Sequence, residues 1–150
     1  MPDPAQMGGV FDPTRPIALT NDLTSTGGIV STGTSTTGGI GYAAGAGGAV
    51  TQATSKSTAV TLNRLTGQVT MNNASLAAAA EVSFTVNNTL VGANDVVVVN
   101  HSSAGTAGSY LLSIGAVAAG SFSVTVSNAS AGALAEAIVL GFAIIKGANA

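Results

Sequence analysis

The stretch Ser121-Phe122-Ser123-Val124-Thr125-Val126-Ser127 alternates between hydroxyl and apolar side chains at every position. Because successive side chains of an extended chain point to opposite faces, this period of two predicts a β-strand with one buried face and one hydroxyl face. Residues 82–86, Val-Ser-Phe-Thr-Val, repeat the pattern. Only residues 74–80 are rich enough in alanine for a helix, and so short a helix is unstable alone. We therefore expect an all-β fold.

Further strand candidates follow one another at intervals of about 10 to 15 residues, the spacing typical of sandwiches and barrels. They span residues 59–62, 68–71, 95–99, 110–114 and 136–145. Turn-forming pairs such as Asn87-Asn88 and Ala119-Gly120 separate them. The pattern predicts a β-sandwich or jelly roll of about seven to eight antiparallel strands.

The first 48 residues differ in composition from the rest of the chain. They contain all four prolines, which favour extended backbone, and residues 25–48 are mostly Gly, Ser, Thr and Ala, as in flexible linkers. We predict an extended Pro/Gly-rich N-terminal arm and linker over residues 1–48, followed by a β-sandwich domain over residues 49–150. Four apolar residues of the arm, which dock either on a partner or back on the same chain, are Phe11, Ile17, Leu19 and Leu23.

The chain carries unusually little charge. Only 7% of its residues are Asp, Glu, Lys or Arg and the net charge is −2, against about 25% charged residues in ordinary soluble domains. A nearly neutral surface promotes association, so we expect an assembled protein. With four Lys and Arg and 4% aromatic residues, the chain offers neither a basic patch nor a stacking platform, and we expect no nucleic-acid partner.

Two segments, residues 96–99 and 137–145, are apolar without interruption. Such runs are typical of strands that are covered on both faces, whereas a two-layer sandwich covers only one. We therefore expect a homo-oligomer, with a trimer favoured over a dimer, in which a neighbouring subunit supplies the second cover. The predicted interface residues are Ile138, Leu140, Phe142 and Ile144. The longer run is too short for the roughly 20 residues of a membrane span, so no membrane partner is expected.

The residues that carry chemistry are scattered along the sequence. The single histidine, His101, lacks partners that would orient it, Cys is absent, and no serine lies in a nucleophile elbow. The nearest candidates for an acid/base pair, Glu81, Asp95 and Glu136, are far apart in sequence. We predict no enzymatic activity, no catalytic residues, no metal and no cofactor. The first residues lack the basic start and apolar run of a secretory signal, so export through one is not expected.

Two segments carry a resemblance to a known class of proteins. They are Gln52-Ala53-Thr54-Ser55-Lys56-Ser57-Thr58-Ala59-Val60-Thr61-Leu62-Asn63 with Leu65-Thr66-Gly67-Gln68-Val69-Thr70-Met71, and Ser130-Ala131-Gly132-Ala133-Leu134-Ala135-Glu136-Ala137-Ile138-Val139-Leu140. The chain resembles, over residues 41–150, a β-sandwich module of tailed-phage virion structural proteins. The resemblance implies a location in the virion, after synthesis in the host cytoplasm, and a partner such as the major capsid protein. It transfers no catalytic or ligand-binding residues.

Three functions remain open at this point. The first is a capsid decoration, cement or head-fibre protein that docks through its arm and oligomerises through its β-domain. The alternative is a tail-fibre or receptor-binding tip that recognises a host-surface glycan, for which Tyr42 and Tyr110 are the plausible aromatic residues. The third is a depolymerase, which the wide spacing of the carboxylates disfavours.

Overall fold

The computed structural model describes residues 41–42 and 45–148, and among them it contains β-strands but no helix. The all-β prediction is therefore confirmed. Residues 74–80 form a loop, which an isolated bridge joins to a second loop through Leu76 and Leu134. The strands are β1 (Ala49–Thr51), β2 (Val60–Thr61), β3 (Thr66–Thr70), β4 (Glu81–Asn87), β5 (Val96–Ser103), β6 (Tyr110–Ala118), β7 (Ser121–Asn128) and β8 (Val139–Ile145).

The strands form two four-stranded sheets with the orders β1-β3-β8-β5, called sheet A, and β2-β4-β7-β6, called sheet B. The ladders among the longer strands are antiparallel. The two short edge strands, β1 and β2, pair in parallel with β3 and β4, so the prediction of a wholly antiparallel fold is wrong there. Parallel pairing requires a crossover, and residues 52–65 supply it because they pass through β2 in the other sheet before reaching β3.

The inward faces of the two sheets share one core. In β7 every second residue is buried, so Phe122, Val124 and Val126 face inward while the serines and the threonine face outward. The Phe122 ring meets the Phe142 ring of sheet A edge to face, with 5.3 Å between centroids, a favourable aromatic geometry. Other buried apolar residues of the core are Val60, Val69, Met71, Phe84, Val86, Val91, Val97, Tyr110, Ile138, Leu140 and Ile144.

Glycine and asparagine hold the turns at the ends of the sheets. Ala118 pairs with Ser121, so Ala119 and Gly120 make a two-residue turn, and the φ of +86° at Gly120 is one that residues with a Cβ rarely adopt. Asn128, the last residue of β7, is buried, and its side-chain amide nitrogen donates to three backbone carbonyls of neighbouring loops at 2.8–3.0 Å. The loops are therefore tied to the sheets by hydrogen bonds.

Candidate interaction surface

The outward face of sheet A is apolar at the end where β5 begins and β8 ends. There the side chains of Val96, Val98 and Ile145 are 56%, 51% and 58% exposed. The register places Val96 opposite Ile145 and Val98 opposite Ala143, so the four side chains adjoin. We call these four residues the outer patch. None of the four strands of sheet A contains Asp, Glu, Lys or Arg, so the patch lies on an uncharged sheet.

A shallow groove of about 450 Å³ continues this face beyond Val98. Small residues keep it open, because a Cβ at Gly141 would lie only 2.7 Å from the Asn100 side-chain oxygen. Its polar side chains are Thr66, Gln68 and Asn100, and no charged residue lines it. The groove therefore suits a neutral surface better than a charged ligand.

The outward face of sheet B has the opposite character. Its hydroxyls bond one another and their neighbours: Ser83 to Thr125 at 2.7 Å, and Ser127 to Glu81 at 2.8 Å. The large apolar side chain exposed on its strands is Leu111 of β6, at 62%. Some of the polar groups of this face bond within the face, and the face is suited to contact with water.

The four residues predicted for an oligomer interface lie in the core instead. Ile138, Leu140, Phe142 and Ile144 are at most 5% exposed, because the inward face of sheet B covers them. The assignment of these side chains to a subunit interface is corrected accordingly, since they present no surface to a neighbour. The outward residues of β8 are the intervening ones, Val139, Gly141, Ala143 and Ile145.

The predicted docking residues of the arm, Phe11, Ile17, Leu19 and Leu23, lie outside the described residues. The described chain begins with Gly41 and Tyr42, and the Tyr42 hydroxyl donates a hydrogen bond to the Ile144 carbonyl. Tyr42 therefore lies beside the end of β8 that carries Ile145. The Tyr42 hydroxyl and the outer patch are at the same end of sheet A.

Asp95 fixes the loop that precedes β5. Its carboxylate accepts hydrogen bonds from the Gly92 amide at 2.8 Å, the Gly147 amide at 3.0 Å and the Lys146 ammonium at 2.5 Å. These hydrogen bonds lower the pKa of Asp95 to about 2. The bond from the Gly92 amide contributes most, followed by those from Lys146 and Gly147. The carboxylate thus joins the loop before β5 to the segment after β8 and is occupied with structural contacts.

Glu136 plays the same part at the other end of the sheets. It accepts from the Thr106 amide at 3.0 Å, the Thr106 hydroxyl at 2.8 Å and the Tyr110 hydroxyl at 2.8 Å. These bonds, the Thr106 amide first, lower the pKa of Glu136. Burial, and then the bond to Glu136, raises the pKa of Tyr110. No sequence pattern indicates this cluster, because its members are separated by up to 30 residues.

The buried Lys56 and the half-buried His101 also bond to the backbone. The Lys56 ammonium donates to the carbonyls of Asn72 at 2.7 Å and Glu136 at 2.6 Å. Burial lowers the pKa of Lys56, and the charge of Glu136 opposes that shift. The His101 Nε2 lies 2.6 Å from the Ala104 carbonyl, and its ring meets Tyr110 edge to face. Within residues 41–42 and 45–148, no three His, Asp or Glu side chains group as metal ligands.

Comparisons of the chain with protein-family models, curated proteins and solved structures give no match. In the part of the chain that the structure describes, no helix has the length and apolar character needed to cross a membrane. The function of the protein is therefore inferred from the sequence and from the geometry of the two sheets.

Proposed function

We propose that this protein is a structural component of a phage virion: a capsid decoration, cement or head-fibre protein that docks through its N-terminal arm and oligomerises through its β-domain. The observation that carries the proposal is the uncharged sheet A, on which the single chain leaves Val96, Val98 and Ile145 open to water. Covering such a patch removes apolar surface from water, which favours association.

The state of the carboxylates supports a structural role over catalysis. In the described part of the chain these groups are Glu81, Asp95 and Glu136, and each accepts hydrogen bonds from the chain itself. Asp95 and Glu136 have pKa values lowered by those bonds, whereas a general base needs a pKa near the working pH. The proposal accordingly includes no enzymatic activity and no cofactor.

The strand order supports a jelly-roll arrangement of the proposed domain. The pairs β3–β8 and β4–β7 lie in different sheets and are nested along the chain, so the two halves of the domain wrap around one core. Jelly rolls of this kind are common in viral capsid proteins. The arrangement therefore agrees with a location in the virion.

The subunits proposed for the assembly are copies of this chain and, through the arm, the major capsid protein or another virion protein. The sequence favoured a trimer over a dimer because of the apolar area of residues 137–145. The part of that area available to a neighbour is smaller, because Leu140, Phe142 and Ile144 lie in the chain's own core. The outer patch remains open for another subunit of the assembly. A glycan-binding tail tip receives less support, since of the two tyrosines predicted for sugar stacking Tyr110 is buried and Tyr42 is 41% exposed.

The test is immunogold electron microscopy of purified particles with an antibody against the β-domain. We expect many copies distributed over the capsid shell. Label confined to a few copies at the tail tip would favour the fibre alternative. Particles free of label, from cells that make the protein in soluble form, would contradict a virion role.

A further inference from the structure

Among the residues that the structure describes, strand β5 is an edge of sheet A and pairs only with β8. The Ile144 amide donates to the Leu65 carbonyl, so the polar backbone groups of Ile144 point away from β5. Since these groups alternate in direction along a strand, those of Ala143 and Ile145 point toward β5, to their partners Val98 and Val96. Val97 and Val99 therefore direct their N–H and C=O groups outward, to the open edge.

This edge lacks the usual devices against pairing with another strand. The sequence of β5, VVVVNHSS, contains no proline, glycine or charged residue, and its ladder is regular from Val96 to His101, where the irregularity begins. The neighbouring edge strand of sheet B, β6, is interrupted by a bulge between Ile114 and Val117. A long, straight, apolar edge without charge is a template for another strand.

We propose that the β5 edge binds the β5 edge of a second copy, antiparallel and about a twofold axis through Val98. In this register Val97 lies opposite Val99 of the partner subunit, and the two residues exchange backbone hydrogen bonds. Val98 lies opposite Val98 of the partner subunit. The contact joins two four-stranded sheets into one continuous sheet. It rests on the proposed assembly role and gives that role a defined interface.

The properties of the edge fit a second copy of this chain. A twofold contact requires a surface that complements itself, and four consecutive valines place valine opposite valine at the centre. The same register sets Asp95 opposite His101 of the partner subunit, so the two Asp95 residues do not lie opposite each other. The exposed Val96, Val98 and Ile145 of both copies would form one apolar surface across the axis.

Cysteine substitution tests this register in the full-length protein, which has no cysteine of its own. Val98 belongs to a non-hydrogen-bonded pair across the axis, where Cα atoms are about 4.5 Å apart, within the range of about 4.4–6.8 Å that a disulfide bridges. We expect Val98→Cys to form a covalent dimer on mild oxidation. The matched control is Leu111→Cys, a site on sheet B that is 62% exposed against 51% for Val98, and this variant should remain monomeric on a non-reducing gel.

A second pair of variants measures the association itself by sedimentation velocity over a range of concentrations. Val98→Lys should weaken dimerisation at least tenfold while leaving the circular dichroism spectrum unchanged, because the side chain is exposed. Leu111→Lys should dimerise like the unmodified protein. An unmodified protein that is monomeric throughout, or Val98→Cys that cross-links no better than the control, would overturn the β5 contact.

The arm is the competing occupant of this edge. If it covered β5 of its own chain, the protein would be monomeric and Val98→Cys would find no second thiol, so the same gel would overturn the proposal. A dimer that forms normally but is missing from virions would contradict the proposed function and leave the β5 contact intact.

Discussion

The buried polar residues show what holds the loops of a domain with so few charges. Gln52, Lys56, Asn88, Asp95 and Asn128 are at most 7% exposed. No buried side-chain nitrogen or oxygen in the described residues lacks a hydrogen-bond partner. Most of their bonds go to backbone amides and carbonyls of loops, which would otherwise be left unpaired at a cost of about 1–3 kcal/mol for each buried group. These side chains are therefore part of the fold.

Asp95 leads to a prediction about acid stability. Its pKa is lowered to about 2 from 3.8, so the charged carboxylate stabilises the folded protein above about pH 4, and this contribution is lost as the pH falls toward 2. We expect Asp95→Asn to be less stable at neutral pH but to lose less further stability between pH 4 and pH 2. Urea unfolding from pH 2 to pH 6 measures both slopes. Equal slopes would show that Asp95 does not contribute.

At the scale of the strand, β8 shows which of its faces carries the stability. Ile144 is fully buried, whereas its neighbour Ile145 is 58% exposed on the outer patch. We expect Ile144→Ala to lower the free energy of unfolding by about 2–5 kcal/mol, as deletions in a packed core do. The same substitution at Ile145 should change the free energy of unfolding of the single chain by about 0.5 kcal/mol or less.

Denaturant unfolding of the two alanine variants, at concentrations low enough to keep the protein monomeric, tests the assignment of the two faces. Similar losses for both would mean that the outward face of β8 is also packed within the chain. The comparison is well matched because the two isoleucines are adjacent in one strand and differ in the face they occupy.

The sequence predicts a strand well where polar residues mark its outward face. The alternation in β7 and β4 identified both strands, because each serine or threonine shows which side meets water. Between Glu136 and Lys146, residues 137–145 contain no such marker. The largest side chains of this run were therefore predicted to form an interface, whereas they lie in the core. The alternation of large and small residues around Gly141 and Ala143 is the signal that distinguishes the two faces.

Other features depend on contacts between distant residues and had no local signal. The parallel strands β1 and β2 have three and two residues, too few to show a period. Lys56 can be buried because carbonyls 16 and 80 residues away accept hydrogen bonds from its ammonium group. The pair Asn87-Asn88 predicts a turn at Asn88 but not the burial of that residue, since asparagine is common in exposed turns as well.

For the whole molecule, the two outward faces suggest a direction of assembly. Sheet B presents hydroxyls that already bond one another, so contact with water costs little there. Sheet A presents the outer patch, the groove and the open β5 edge, all without charge. The proposed assembly thus places sheet A toward other subunits and sheet B toward solvent.

The last prediction concerns the arm, and it begins from the position of the core. Every buried apolar residue in the described part of the chain lies between Val60 and Ile144, and residues from Gly41 onward form one compact unit. Removal of residues 1–40 should therefore leave a folded, oligomeric domain with an unchanged circular dichroism spectrum and sedimentation coefficients that still report association.

The same truncation should abolish attachment to the virion. Pro2, Pro4, Pro13 and Pro16 restrict the free arm, which reduces the entropy lost when an extended segment is laid along a partner. The apolar side chains of the arm, Phe11, Ile17, Leu19 and Leu23, would then contribute about 1.5–3 kcal/mol each when fully buried, before ordering costs. Several arms on one oligomer add avidity, and the Gly-rich residues 25–48 give the length needed to connect assemblies of different symmetry.

A sedimentation assay measures the attachment. Particles that lack the native protein are mixed with full-length or truncated chains, and the protein that sediments with them is quantified. Retained binding of a folded truncated domain would mean that sheet A or another part of the β-domain makes the contact, and an unfolded truncated domain would mean that the arm belongs to the fold.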